Sequence, residues 1–225
     1  MKVEYVDHMG SDLSVVNAAR VSFDKVSKYE YDEKTGVSYL SDKDEKLIQY
    51  LSKHGHWSPF AHTSITLRVK APIFVARQLV KHQIGLSWNE VSRRYVDSEP
   101  ELYHPIWREK AANVKQGSGG DMVVVTEYQA RAMQLAEDVM EDSITIYKRL
   151  LLAGVCPEQA RMVLPLACYT EWIWTGSVYA FARVFNQRTH ATAQQETREI
   201  AEMIGDVCMT YFPVSWDALT DKEQK

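Results

Sequence analysis

The stretch SITLRVKAPIFVARQLVKHQ, residues 64–83, changes its hydrophobic period halfway along. From Ser64 to Lys70 the apolar Ile65, Leu67 and Val69 alternate with Ser64, Thr66, Arg68 and Lys70, which is the two-residue period of a half-buried strand. Pro72 suits the first turn of a helix, and from Ile73 to Gln83 the apolar Val75, Ala76, Leu79 and Val80 face one way. Arg77, Gln78, Lys81 and His82 form the opposite stripe. The chain therefore uses both kinds of element, and its polar helix face leads into the segment richest in hydrogen-bonding side chains.

Towards the N-terminus, Val3 to Val6 reads as a short strand, and Asp12 as the N-cap of a helix carrying Leu13, Val16, Ala19 and Arg20. Residues 24–39, rich in charge, Tyr and Gly, read as an exposed loop or hairpin. A second helix carries Leu47, Ile48 and Leu51, is capped near Ser41 or Asp42 and stops around His54-Gly55. Towards the C-terminus, periodicity is lost over residues 98–123, and Gln116-Gly117-Ser118-Gly119-Gly120 reads as a flexible loop tip. Beyond it the pattern is helical: 126–153 with a stop at Gly154, 157 to about 164, 171 to about 186, and 191 to about 212. In the last of these, Ile200, Ile204, Cys208 and Tyr211 mark the apolar stripe. No repeat or low-complexity run divides the chain, so residues 1–225 read as one domain.

Composition excludes several classes. With 225 residues and 45% hydrophobic content the chain can bury a sizeable core. A net charge of -4 argues against nucleic acid or an anionic membrane as partner, so any phosphate-binding charge must be local. The three cysteines, Cys156, Cys168 and Cys208, have no CxxC spacing and read as reduced, mostly buried thiols. Met1 to Gly10 is too charged for a signal peptide and no segment has the apolar length of a membrane span, which points to a cytoplasmic protein.

The run from Lys81 to Tyr95, KHQIGLSWNEVSRRY, is dense in polar side chains. Arg77 and Lys81 lie one helical turn apart, as do Gln78 and His82, and Gly85 lets the chain turn before a second polar set arrives. Ser92 and Arg94 could hold a phosphate, because a guanidinium offers a planar fork of donors; a solvated helix face followed by a charged loop would show the same spacing. Arg161, Arg183 and Arg188 sit in apolar surroundings, and an arginine there needs an anion or acceptors. A structural Asp or Glu would serve for any one of them; three, added to Arg93-Arg94, favour an anionic ligand such as a nucleotide monophosphate. His54, His56 and His62 with His82 could suggest a metal site, because HxH can present two imidazoles together, but no Cys or clustered Asp completes a set, and histidines beside Trp57 and Phe60 can equally meet a flat ligand; no metal site is expected. No P-loop is present and no GxGxxG follows a strand. Trp172 and Trp174 read as core.

These residues carry a likeness. Through Arg20-Val21-Ser22-Phe23, His54-Gly55-His56, the run from Lys70 to Gln78, the block Ser87 to Tyr95, Ala160-Arg161-Met162-Val163-Leu164-Pro165 and Arg188, the chain resembles the flavin-dependent thymidylate synthases nearly end to end. The resemblance implies an α/β chain of mixed α+β type, helix-rich with a small antiparallel sheet, assembled as a homotetramer with FAD and dUMP sites between subunits. It implies that NADPH reduces FAD, methylenetetrahydrofolate supplies one carbon, and the reduced flavin delivers hydride to give dTMP.

Position by position, the resemblance puts dUMP on Gln78, Lys81, Glu90, Val91, Ser92, Arg93, Arg94, Arg161 and Arg188, with backbone donors near Val91 and Ser92 at the phosphate. Arg188 takes the catalytic place, stabilising negative charge on the uracil ring as N3 loses or shares its proton. FAD falls to Ser22, His56, Ser58, Lys81, His82, Gln83, Asn89, Glu90, Ser177 and Arg183. The sequence departs from the family pattern at Lys81-His82-Gln83, where Arg-His-Arg is usual, and in having three residues before Ser87 instead of two. It departs again at Ser177 and Arg183, where asparagines are usual, and at Thr192 in place of a histidine. All of these are expected on the flavin side. Rival readings are the same fold transferring a hydroxymethyl group to a pyrimidine nucleotide, a folate-dependent synthase with Cys156 as nucleophile, and a helical module binding RNA or DNA through Arg77 to Arg94.

Overall fold

The computed structural model describes residues 1–112 and 117–220. Eight strands and eight helices follow one another among them: β1 (Lys2–Met9), α1 (Asp12–Arg20), β2 (Glu30–Asp32), β3 (Val37–Tyr39), α2 (Asp42–Lys53), β4 (Ser64–Pro72), α3 (Ile73–Leu79), β5 (Leu86–Glu90), β6 (Arg108–Lys110), β7 (Ser118–Asp121), α4 (Glu127–Leu152), α5 (Pro157–Ala160), β8 (Tyr169–Gly176), α6 (Val178–Arg188), α7 (Gln195–Tyr211) and α8 (Pro213–Thr220). The fold is mixed helix and sheet. Its centre is a four-stranded antiparallel sheet in the order β1-β4-β8-β5.

The alternation read in residues 64–70 is realised in β4, whose Ile65, Leu67 and Val69 are fully buried. They meet Trp172 and Trp174 of β8, and this face packs on Val75 and Leu79 of α3, Phe181 and Val184 of α6 and Ile200 and Ile204 of α7. The hairpin expected in residues 24–39 is β2 paired with β3, and α2 begins at the Ser41 cap, whose hydroxyl accepts from the Asp44 N–H.

Several expectations are corrected. The segment read as helical from residue 171 is the central strand β8, in which Trp172 and Trp174 are buried while Ile173 between them is exposed. Three adjacent apolar side chains hide that period of two, and the helix starts at Val178, where the Ser177 hydroxyl accepts the Ala180 N–H at 3.2 Å. Helix α3 ends at Leu79 instead of Gln83, since Val80 to Gly85 turns the chain into β5. The helix from Pro157 stops at Ala160, and Arg161 to Val163 form a 3-10 turn. Gly117 to Gly120 are no loop tip: Ser118 to Asp121 form β7, paired with β6, and Gln116 lies outside the described residues.

Asp12 is no cap of its own helix either; Ser11 is. Its buried carboxylate instead accepts the backbone N–H groups of Val214 and Ser215, both at 2.9 Å, and so satisfies the start of α8 from across the chain. Asp12→Ala strands two buried donors, and should lower the unfolding free energy by about 2 kcal/mol. Urea titration followed by circular dichroism reads this directly, and an unshifted midpoint would show that the contact contributes nothing.

Candidate active site

Arg188 occupies the last turn of α6 and reaches the end of α3. Its Nη2 donates to the Gln78 carbonyl at 3.0 Å, one of the carbonyls a helix C-terminus leaves without a partner, where positive charge is favoured. Its Nε donates to His82 Nε2 at 2.8 Å. That bond requires a bare Nε2, so His82 is neutral with its proton on Nδ1. Burial, then the charges of Arg188 and Arg183, push the His82 pKa down to about 4.

The side chain of Gln78 is pinned as well. Its amide donates to Gln194 Oε1 at 2.6 Å and accepts from the Thr197 hydroxyl at 3.2 Å. Gln78, Arg188, Thr192 and Gln194 line an open cleft of about 610 Å³, whose far wall is Arg108 and Ser118 of the β6–β7 hairpin. Arg108 donates to both carboxylate oxygens of buried Glu196, at 2.7 and 2.9 Å, and its Nε donates to Ser118 at 2.8 Å. Sequence reading missed Arg108, Glu196, Gln194 and Thr197. Glu196 alone carried a signal, a carboxylate four residues before Ile200 on the buried stripe of α7.

Behind Arg188 lies a cleft of about 210 Å³ lined by Lys81, His82, Gln83, Leu86, Arg183 and Arg188 among others. Its wall contains no carboxylate, and none of its three cations forms an ion pair among the described residues. Such a cleft suits an anion. Ile84, Ala180 and Arg183 also line a neighbouring cleft of about 270 Å³ with Trp57, Gly85, Ser177 and Tyr179. The turn before Ser87, where the sequence reading expects an additional residue, lies here. Gly85 has φ +75, and a Cβ on Gly176 would stand 2.8 Å from the Gly85 carbonyl and 2.4 Å from Leu86, so only glycine at 176 lets this turn lie down.

Glu90, Val91, Arg93 and Arg161 line a different cleft, of about 470 Å³, with Cys168, Thr170 and Glu171. Arg161 Nε donates to the Glu158 carbonyl at 3.2 Å, and Arg93 donates to the Ser98 carbonyl. Arg94 leans over the Tyr95 ring at 5.0 Å, and its backbone N–H donates to the Ser92 hydroxyl at 3.3 Å. The backbone N–H of Val91 is already given to the Glu171 carbonyl at 2.9 Å, so it is no free donor for a phosphate, a correction to the sequence reading.

The expected nucleotide set is thus divided within one chain: Gln78, Lys81 and Arg188 stand in one region, while Glu90, Val91, Arg93 and Arg161 stand in another. Ser22 lies in an exposed turn, and His56 and Ser58 are exposed beyond α2. Asn89, opposite Ile173, faces away from the sheet side that carries Trp88 and Glu90. Cys156 is exposed at the cap of α5 and lines none of these clefts, whereas Cys168 and Cys208 are buried, as expected for most of the thiols.

A family model described as "Thymidylate synthase complementing protein" matches residues 4–214. A flavin-dependent thymidylate synthase of Thermosipho africanus is 39% identical over 214 residues, covering 95% of this chain and 88% of that one. The chain belongs to the flavin-dependent thymidylate synthase family. Another such synthase, from Thermus thermophilus, is 36% identical, covering 97% of this chain and 75% of its own length. Among solved structures, a UMP/dUMP methylase PolB from Streptomyces cacaoi bound with 5-Br dUMP superposes with a TM-score of 0.80 at 32% identity, covering 97% of this chain and 94% of that one.

As a member of this family the chain is an enzyme, and the residues that the sequence reading sets apart from the family pattern can be located. Lys81, Gln83 and Arg183 share the carboxylate-free cleft, and Ser177 lines the adjoining one. Thr192 does not stand with them: it lines the large cleft beside Gln78 and Arg188, within 2.9 Å of His190 Nδ1. Cation-lined walls with an aromatic rim at Trp57 and Tyr179 fit a flavin nucleotide, which joins flat rings to anionic phosphate.

The neutral His82 has a measurable consequence. Unfolded, it takes up a proton near the ordinary 6.5; folded, it does so only near 4. As pH falls through that window the unfolded state binds the proton first, so stability held above it is lost progressively towards pH 4. Melting temperature should fall more between about pH 7 and pH 4.5 in the wild type than in His82→Asn. Equal falls would mean that His82 titrates normally and does not accept from Arg188.

Proposed function

We propose that this single domain catalyses the reductive methylation of dUMP to dTMP, with FAD as its flavin, methylenetetrahydrofolate as carbon donor and NADPH as reductant. Support comes from the family, from a neighbour whose name gives UMP and dUMP as its nucleotides, and above all from the placement of Arg188. Its guanidinium is fixed by His82 and Gln78, no carboxylate neutralises it among the described residues, and it faces the two clefts at once.

A bound reduced flavin would supply the hydride. The protein's own task is to hold the pyrimidine and its charge. With Nε and one Nη2 proton committed, the remaining N–H donors of Arg188 are available to a uracil oxygen and the ionising N3, which raises the nucleophilicity of C5 without a covalent enzyme adduct. Gln78, oriented by Gln194 and Thr197, stands in the same wall to fix the ring. His82 contributes as a neutral acceptor that keeps the guanidinium in place, and a protonated imidazole there would repel it.

Arg161, Arg93, Arg94, Ser92 and Glu90 then serve the phosphate and sugar of a nucleotide whose base lies on another subunit. This assigns the divided site to a homotetramer with shared active sites. Exposed apolar side chains favour such assembly: Tyr128, Leu135, Val139 and Ile146 along α4, and Val21, Phe23 and Val26 beside Ser22.

Arg188→Ala should lower dTMP formation by about a hundredfold or more while changing FAD affinity only a few-fold. Turnover and flavin fluorescence titration measure the two separately; equal losses would make Arg188 merely structural. Mass analysis of the product decides the chemistry. A nucleotide heavier by CH2, a methyl group in place of the C5 hydrogen, is expected, and one heavier by CH2O would establish the alternative hydroxymethyl reaction.

A further inference from the structure

The Glu90 carboxylate is gripped from two sides. The Trp88 indole N–H donates to Oε2 at 3.1 Å, and the Thr170 hydroxyl donates to Oε1 at 2.7 Å. Strand alternation explains the meeting. Trp88 and Glu90 are two residues apart on β5, Glu90 pairs with Trp172, and Thr170 lies two residues before Trp172 on β8, so all share one face of the sheet.

The grip is stiff. Trp88 stacks on Trp172 with ring centroids 4.2 Å apart and planes 19° apart, and meets Trp174 edge-on at 5.3 Å. Both partners are buried in the core, so the indole cannot turn away without breaking aromatic packing. Thr170 is part of the central strand, whose backbone is held by β4. Glu90 itself is at the exposed end of β5, in the wall of the cleft that holds Arg93 and Arg161, and has no ion pair among the described residues.

We propose that Trp88 and Thr170 are positioning residues that fix Glu90 so that its remaining lone pairs select a hydrogen-bond donor of the nucleotide, a sugar hydroxyl or a ring N–H. A carboxylate only accepts, so a ligand group that itself only accepts is rejected there. The selecting role rests on the nucleotide reading given above, whereas the grip on Glu90 does not.

Two measurements separate them. In spectra of the ¹⁵N-labelled protein, which has six tryptophan indole N–H groups, the signal lost in Trp88→Phe should be the one that shifts in Glu90→Gln. By calorimetry, Trp88→Phe and Thr170→Val should each weaken dUMP binding by roughly three- to tenfold, and Thr170→Ser should restore it. In a Glu90→Gln background neither change should weaken binding further. Wild-type affinity in both variants, or full additivity with Glu90→Gln, overturns the proposal. An unresponsive indole signal beside intact dUMP binding overturns the grip alone. No dUMP binding by the wild type, with a responsive indole, overturns the nucleotide reading and the selecting role with it.

Discussion

Antiparallel pairing of β4 with β8, Ile65 to Pro72 against Gly176 to Tyr169, is the constraint on which the site depends. Helix α3 leaves β4 at Pro72 and helix α6 follows β8 at Ser177. With both helices packed on the same sheet face, the C-terminal turn of one delivers Arg188 to the open carbonyl of the other at Gln78. A slip of one residue in that pairing would turn Trp172 and Trp174 outward, and the two helix ends would no longer meet. The core and the chemistry are thus fixed by the same register.

Charge completes what register begins. Arg188 is only partly buried, and His82 and the end of α3 are the acceptors that hold it. Because those acceptors are neutral, its positive charge remains uncancelled, together with those of Lys81 and Arg183. The contrast with Arg108 is instructive. There the two bonds from Nη2 to the carboxylate of buried Glu196 neutralise the guanidinium and turn it into a fastening between the β6–β7 hairpin and α7. Two arginines thus border one cleft, one built into its wall and one left for a ligand.

The sequence made the local elements legible where a single period ruled, as in β4 and α2, and concealed them where apolar side chains ran together, as in β8. Contacts made across the chain left little trace: Asp12 reads as a cap for the helix beside it, yet its partners are Val214 and Ser215. The bond of Arg108 to Glu196 spans 88 positions and follows no motif. Arg188, Gln78 and His82 were legible as members of one site because family motifs carry them, but motifs do not say which of those residues meet in one chain. Geometry does, and it leaves Arg161 and Arg188 in separate clefts.

Under the proposed shared site, one subunit's Arg188 works with another subunit's Arg161. The most direct measurement mixes two inactive variants, Arg188→Ala and Arg161→Ala, after reversible dissociation and reassembly. If each site draws the two arginines from different subunits, random mixing should restore activity to about a quarter of the wild-type level. Activity that stays at the level of the separate variants in verified mixed oligomers would place both arginines in a site built by one chain, and would contradict the account.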